Sequence, residues 1–176
     1  MGRATAGDNL KRRTLGFTFV EIMIVVLILA ISAALAVPRI GDAAPTKLIS
    51  AARLVVADLT FAQVESISHS DNLRVVVFDT TLNQYHIAGA SDTTVPITHP
   101  TTRQAYTVKF GSGSSGSLSG VTFGGLGVGD DKQLKFGPYG QIDQTAAATI
   151  TLVCQGKTLV IIVDPTTGEA AIGSVN

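Results

Sequence analysis

GFTFVE, residues Gly16–Glu21, opens an apolar run that continues from Ile22 to Val37. Between Phe17 and Val37 the only charged residue is Glu21. At a helical rise of about 1.5 Å per residue this segment reaches roughly 31 Å, which is about the thickness of the hydrocarbon core of a bilayer. A carboxylate in such a segment costs on the order of 2.5–3.5 kcal/mol at the helix centre. The pattern predicts a membrane-spanning helix over residues 17–38 and indicates a specific role for Glu21.

Length and composition leave room for one membrane segment and one further domain. The chain has 176 residues, of which 45% are hydrophobic, and its formal net charge is zero. A domain of about 100 residues fits behind the apolar segment, whereas a second full domain does not. Cys154 is the single cysteine, so no internal disulfide can form, and we expect it to be a small buried residue of a strand.

The first sixteen residues are basic. They contain Arg3, Lys11, Arg12 and Arg13 against Asp8, so they carry +3 and the rest of the neutral chain carries −3. By the positive-inside rule the N-terminus stays in the cytoplasm and the C-terminal domain crosses the membrane. The negative charge of that domain argues against nucleic-acid binding through bulk charge.

A second helix is predicted behind the apolar run. Pro38 ends or kinks the first helix, because proline removes a backbone hydrogen bond and clashes with the preceding turn. In residues 39–69 apolar residues recur at helical spacing, which predicts an amphipathic helix that starts near Pro45. Its apolar stripe is Leu48, Ala52, Val55, Leu59 and Ala62, widened by Ile49, Val56 and Ile67, while Lys47, Arg53, Asp58 and Glu65 fall mostly outside it.

Residues 70–176 read as an antiparallel β domain that covers this stripe. Short β-branched runs are bounded by turn residues, and no helical pattern separates them as a parallel arrangement would need. We expect the last four strands to form a meander, and we expect loops at residues 89–104 and 111–120. The predicted strands are Leu73–Phe78, Tyr85–Ala88, Ala105–Phe110, Val121–Phe123, Gln133–Phe136, Thr149–Cys154, Thr158–Val163 and Ala170–Gly173.

Three simple interpretations of the N-terminus leave some of its residues unexplained. A plain signal-anchor gives no role to Glu21 or to the junction of Gly16 and Phe17. A secretory signal peptide cleaved after residues 34–36 would release a domain that begins at Val37, but it requires a glutamate within its hydrophobic region. An intramembrane enzyme with Glu21 as an acid has no relay partner in the segment.

The basic residues 11–13, the junction Gly16-Phe17, Glu21 and the apolar run up to Pro38 together resemble the class III signal of type IV prepilins and type II secretion pseudopilins. The resemblance implies that a prepilin peptidase cleaves between Gly16 and Phe17 and methylates the new N-terminus at Phe17. It implies that Glu21 is an assembly contact at the fifth position of the mature chain and that Pro38 is the helix kink.

The resemblance also implies a fold and a domain plan. The fold is α+β and pilin-like, with a long N-terminal helix, transmembrane in its first half and amphipathic in its second, packed on antiparallel β-sheet. Residues 1–16 are then a removed leader, 17–38 a transmembrane and polymerisation helix, 39–69 the amphipathic helix and 70–176 a periplasmic β domain. The protein is expected to be single-pass in the inner membrane.

Residues 136–141, 150–152 and 164–169 resemble minor pseudopilins of the H type and their FimT relatives. This subclass implies a subunit of a type II secretion system or a related type IV pilus, assembled with other pseudopilins or pilins into a periplasmic filament for protein secretion. A different class remains open, namely a membrane-anchored or secreted periplasmic or cell-surface binding protein that uses the loops 89–104 and 111–120.

No catalytic, cofactor or metal site can be built from the sequence, and we interpret the protein as a non-enzyme. Residues 111–116 formally satisfy G-x-G-x-x-G, but more serine and glycine follow instead of a helix. The histidines lie far apart without nearby cysteines or paired carboxylates, and Asp130-Asp131 reads as a solvated turn. The final segment 164–176 lacks the basic residues that DNA binding would need.

Overall fold

The computed structural model describes residues 17–36 and 43–176. These two stretches belong to two separate compact units. The first unit contains helix α1. The second contains helix α2, nine strands and a 3₁₀-helix at Gly113–Leu118. The bounds are α1 Phe19–Ala36, α2 Ala44–Ser68, β1 Arg74–Asp79, β2 Gln84–Gly89, β3 Asp92–Pro96, β4 Thr107–Lys109, β5 Thr122–Gly127, β6 Gln133–Lys135, β7 Ala148–Cys154, β8 Lys157–Val163 and β9 Ala170–Val175.

Helix α1 is apolar on every side. Its large hydrophobic side chains from Phe19 to Ile31 are all about half exposed or more in the single chain. Among the described residues, no helix is both long and apolar enough to be a candidate for crossing a membrane. The predicted span of residues 17–38 extends beyond the described part of α1, and Pro38 and Gly16 lie outside the described residues.

Helix α2 begins where the sequence predicts, with Pro45 in its first turn, where the fixed φ of proline suits a helix start. The predicted stripe is confirmed, because all five of its central residues are buried. Ile67, which was expected to widen it, is 50% exposed near the helix end. The buried residues of α2 are Ala44, Leu48, Ala51, Ala52, Val55, Asp58, Leu59, Ala62 and Ser66.

Two antiparallel sheets pack against α2. In the five-stranded sheet the order is β3-β2-β1-β6, and β4 also pairs with β2. In the four-stranded sheet the order is β5-β7-β8-β9. Helix α2 contacts β1 of the first sheet and β7, β8 and β9 of the second, so one apolar face supports both. The antiparallel α+β prediction is confirmed.

The last four predicted strands do not form one meander. Strand β6 pairs with β1 in the other sheet, through Leu134 opposite Val76, and β5 takes the place at the edge of the second sheet. The connection over residues 136–147 is far longer than a tight hairpin, so the chain has room to cross between the sheets. The hairpin from β7 to β8 is confirmed, with Gln155 and Gly156 as its two turn residues.

Both predicted loops contain some regular structure. Strand β3 and the bridge between Thr98 and Ala105 occupy the segment 89–104, and the 3₁₀-helix lies within 111–120. Strand β3 has no buried residue, so it lacks the apolar alternation that marks a strand in sequence. Backbone pairing at the sheet edge forms it instead.

Asp58 is the main departure from the predicted pattern of α2. It was placed mostly outside the apolar stripe, yet it is only 7% exposed. The hydroxyl of Tyr85 donates to its Oδ2 at 2.5 Å, and the hydroxyl of Tyr106 donates to its Oδ1 at 3.0 Å. Tyr85 lies in β2 and Tyr106 immediately before β4, so the carboxylate ties α2 to the first sheet.

Burial raises the pKa of the Asp58 carboxyl above its ordinary value of 3.8, although the two tyrosine hydrogen bonds and the charge of His99 oppose the shift. Burial and the charge of Asp58 also raise the pKa of Tyr85 and Tyr106, so both phenols stay protonated donors at neutral pH. The folded domain therefore takes up a proton on Asp58 more readily than the unfolded chain does.

Gln63 joins two stretches of the β domain that are far apart in sequence. Its Nε2 donates to the carbonyl of Gly140 at 3.0 Å and to that of Thr167 at 2.6 Å. The following Gly168 has φ +69°, and a Cβ there would overlap the carbonyl oxygen of Gly140. The segments 136–141 and 164–169 therefore meet at one point on α2.

We predict that Asp58→Asn makes the domain less sensitive to pH. Because the folded pKa is raised, the stabilisation from protonated Asp58 is complete below pH 3.8 and is lost as the pH rises through the folded pKa. The free energy of unfolding of the wild type minus that of Asp58→Asn should fall from pH 3.8 to neutral pH. Chemical denaturation of the full chain in detergent micelles, repeated at several pH values, measures this difference in the free energy of unfolding. A difference that is constant or rises over this range contradicts the burial of an ionisable Asp58.

Gly168→Ala should destabilise the domain more than Gly156→Ala. Both glycines have positive φ, which costs an alanine about 1–2 kcal/mol. A Cβ at Gly156 meets nothing within 4 Å, whereas at Gly168 it forces the Gln63 junction apart, which adds about 1–3 kcal/mol. Denaturant unfolding of the two variants gives the difference, and equal losses would show that the junction is not tight.

Candidate functional site

Thr18 forms the start of α1. Its carbonyl accepts the backbone N–H of Ile22 at 3.2 Å, which is the first bond of the helix. Its Oγ1 accepts the backbone N–H of Glu21, also at 3.2 Å. These two bonds make Thr18 the N-cap, which satisfies a donor that helix geometry leaves unpaired.

Glu21 lies at the third position of this helix. Carboxylates are favoured there because the unpaired N–H groups give the helix N-terminus a partial positive charge. The side chain is exposed in the single chain, and no ion pair with it occurs within the described part of the molecule. The helix N-terminus therefore stabilises this carboxylate, and no described cation pairs with it.

Thr18 is the site residue that the sequence analysis left without a role. The spacing Thr18-x-x-Glu21 has the form of a capping box, in which a threonine at the N-cap pairs with a glutamate three residues later. That spacing alone predicts a helix start at Thr18. The same short stretch therefore both starts the helix and places the carboxylate at its first turn.

Two of the four predicted site residues can be located. Phe17 lies one residue before the N-cap Thr18 and is 76% exposed. Glu21 lies four residues after Phe17. Gly16 and Pro38 lie outside the described residues. The structure thus places the predicted new N-terminus and the predicted assembly carboxylate at the same end of α1.

Apart from Ser32, the described side chains of α1 that follow Glu21 are apolar. Side chains on opposite faces, such as Ile22, Ile24 and Leu29, are all at least half exposed in the single chain. A helix that is hydrophobic all round is stable only in lipid or among other helices.

The acidic residues and histidines of the described β domain do not come together as a metal site. Among the described residues, no group of three or more His, Cys, Asp or Glu side chains could hold a metal ion. Asp130 and Asp131 are exposed in a turn, and the G-x-G-x-x-G stretch enters a 3₁₀-helix instead of an α-helix. Cys154 is buried and free, as predicted.

Comparison with known proteins gives one family match and one related structure. Residues 11–37 match the family model of the prokaryotic N-terminal methylation motif. The type IV minor pilin FimU of Pseudomonas aeruginosa, strain PAO1, is a structural match with 16% sequence identity and a TM-score of 0.49, over 72% of this chain and 92% of that one. No curated protein sequence matches the chain. The N-terminal segment thus carries a prokaryotic methylation motif, and a second helix and two antiparallel sheets follow it along the chain.

We predict that Thr18→Ala frays the first turn of α1. Losing the cap costs about 1 kcal/mol, so the amides of Glu21 and Ile22 should exchange with solvent roughly fivefold faster. Hydrogen exchange of the full chain in detergent micelles measures this. Thr18→Ser keeps the hydroxyl and should exchange as the wild type does, and unchanged exchange in Thr18→Ala would mean that the cap does not hold the turn.

Proposed function

We propose that this chain is a minor pseudopilin of a type II secretion system, or the equivalent subunit of a related type IV pilus. The observation that carries the proposal is the methylation motif over residues 11–37, in which a helix apolar on every side begins with a single carboxylate. In this proposal prepilin peptidase cleaves between Gly16 and Phe17 and methylates Phe17. The mature subunit then enters a filament with other pseudopilins or pilins.

The anchor of the proposed subunit is the segment 17–38. Its apolar side chains would be solvated by lipid in the inner membrane before assembly and by neighbouring helices afterwards. The basic residues of the leader hold the N-terminus in the cytoplasm, which sends the β domain to the periplasm. Pro38 would kink the helix where it leaves the membrane.

The proposed role of Glu21 follows from its position at the first turn. Before assembly Glu21 and the new amine of Phe17 both lie near the cytoplasmic interface, where water and head groups solvate them. When subunits pack side by side, the carboxylate of one can meet the amine of its neighbour, and pairing offsets the desolvation that either charge alone would suffer. The pair then sets the register between adjacent helices.

The β domain gives the proposed subunit its identity. The segments 136–141 and 164–169, on which the resemblance to H-type pseudopilins rests, meet at Gln63 on α2. They therefore form part of the junction between helix and sheets. Their sequences thus fit a role in holding the fold together. In this proposal the protein acts by assembly and contact and has no enzymatic activity.

A membrane-anchored or secreted binding protein is the alternative function. The two proposals differ in where the mature chain begins and in whether Glu21 matters. A plain anchor or a released domain needs no carboxylate in the apolar run, whereas the pseudopilin requires one.

We expect Glu21→Ala to block assembly while leaving insertion and cleavage intact. The variant removes the charge that pairs with the neighbouring amine, but it makes the segment more apolar and leaves Gly16 and Phe17 unchanged. Cross-linking of the mature protein to other pilins in a host with its own prepilin peptidase measures assembly, and the mass of the mature chain measures cleavage.

Glu21→Gln is the matched variant in this experiment. It keeps the shape and hydrogen-bonding capacity of the side chain and removes only the charge, so it should also fail to assemble if an ion pair is required. Asp71→Asn, an exposed carboxylate on the β domain, should assemble normally. Filament incorporation of Glu21→Ala would exclude the proposed role of this residue.

A further inference from the structure

A polar cavity between α2 and the β domain has no role in the proposed assembly. It has a volume of about 210 Å³ and lies between α2, the segment that leads into β4, and the 3₁₀-helix. A water molecule takes about 30 Å³ of liquid volume, so the cavity has room for a small organic group. Its polar lining residues are Asp58, His99, Thr102, Gln104, Tyr106, Thr107, Ser114 and Ser115.

The buried carboxylate of Asp58 lies in the wall of this cavity. Each of its oxygens accepts one tyrosine hydroxyl, from Tyr85 and from Tyr106. A carboxylate has about four lone-pair positions, so about half of its capacity to accept hydrogen bonds remains unused. The neutral phenols supply dipoles but no positive charge.

No lysine or arginine of the described chain pairs with Asp58. The ionisable group beside it is His99, whose Nδ1 accepts the backbone N–H groups of Thr101 and Thr102. Arg103 lies between two lining residues in sequence, but its side chain is exposed and does not line the cavity. A buried carboxylate without a cation is unfavourable, and a cation in the cavity would offset that cost.

The other walls are aromatic and hydroxylic. The rings of His99 and Phe61 pack against the ring of Tyr106, with 4.3 Å and 5.3 Å between ring centres. Tyr106 therefore contributes its hydroxyl to Asp58, and its ring holds that hydroxyl in place. The hydroxyls of Ser114 and Ser115 can accept further N–H donors.

We propose that this cavity binds an organic cation, a primary ammonium or guanidinium group, with Asp58 as its counter-ion and the hydroxyls of Ser114 and Ser115 as further acceptors. The cation is carried either by a free small molecule or by a lysine or arginine side chain of a partner protein. The site lies wholly within residues 43–176, so it is independent of the assembly segment.

The test uses butylguanidinium as the probe and tyrosine as the reporter. The chain has three tyrosines, of which Tyr85 and Tyr106 bind Asp58 while Tyr139 is 88% exposed elsewhere. The full chain in detergent micelles, with isotope-labelled tyrosine rings, is titrated with the probe at constant ionic strength. We expect saturable shifts of the Tyr106 and Tyr85 ring signals and none of Tyr139.

Two variants and a control assign the site. Asp58→Asn should weaken binding about tenfold or more, because it removes the charge from a hydrogen-bonded ion pair. Gln104→Lys places a tethered ammonium at the cavity and should abolish probe binding. It also keeps the test valid if Asp58→Asn does not fold. Asp71→Asn should bind as the wild type does.

The source of the cation is tested with acetyl-arginine-amide, which carries its guanidinium on a peptide backbone. Binding as tight as that of butylguanidinium points to a side chain of a partner protein, and binding of butylguanidinium alone points to a small free cation. Shifts that stay linear with concentration, that occur equally at Tyr139, or that persist in Gln104→Lys would overturn the proposal.

Discussion

The apolar face of α2 is the constraint on which the domain of residues 43–176 depends. Leu48, Val55 and Leu59 are buried on it, and the inner faces of two different sheets supply their partners. The chain passes between the two sheets three times, after β4, after β5 and after β6, and the same helix face covers both sheets. Gln63 and Asp58 tie the same helix to specific strands and loops by hydrogen bonds. Packing holds the layers together, and these polar contacts determine where each layer lies.

Periodicity in the sequence predicts the parts of this fold that depend on local pattern. The stripe of α2, the strands β7 and β8 and the turn at Gln155-Gly156 follow from spacing and turn chemistry. Strand β3 could not be predicted because none of its residues is buried, and the place of β6 beside β1 depends on pairing between distant residues. Asp58 was misplaced because of its residue type. It follows Val55 by three positions and precedes Ala62 by four, so helical geometry puts it on the apolar stripe.

The candidate sites likewise divide into one that local sequence marks and one that depends on residues far apart in the chain. The assembly segment is contiguous in sequence, so its motif could be recognised from the residues alone, and only the capping role of Thr18 was missed. The cavity beside Asp58 brings together α2, the segment before β4 and the 3₁₀-helix. No short motif marks it, since its carboxylate, imidazole and phenols come from separate parts of the chain. Sites of that kind become visible only once the sheets are in place.

We propose that the mature chain begins at Phe17, just before α1, and that the leader is neither kept nor replaced by cleavage at Val37. Mass spectrometry of the N-terminal peptide of the protein, isolated from membranes of a host that contains prepilin peptidase, tests it most directly. We expect a mature chain that begins at Phe17 and carries one added methyl group on its amine. A chain that still contains residues 1–16, or one that begins at Val37, would contradict it.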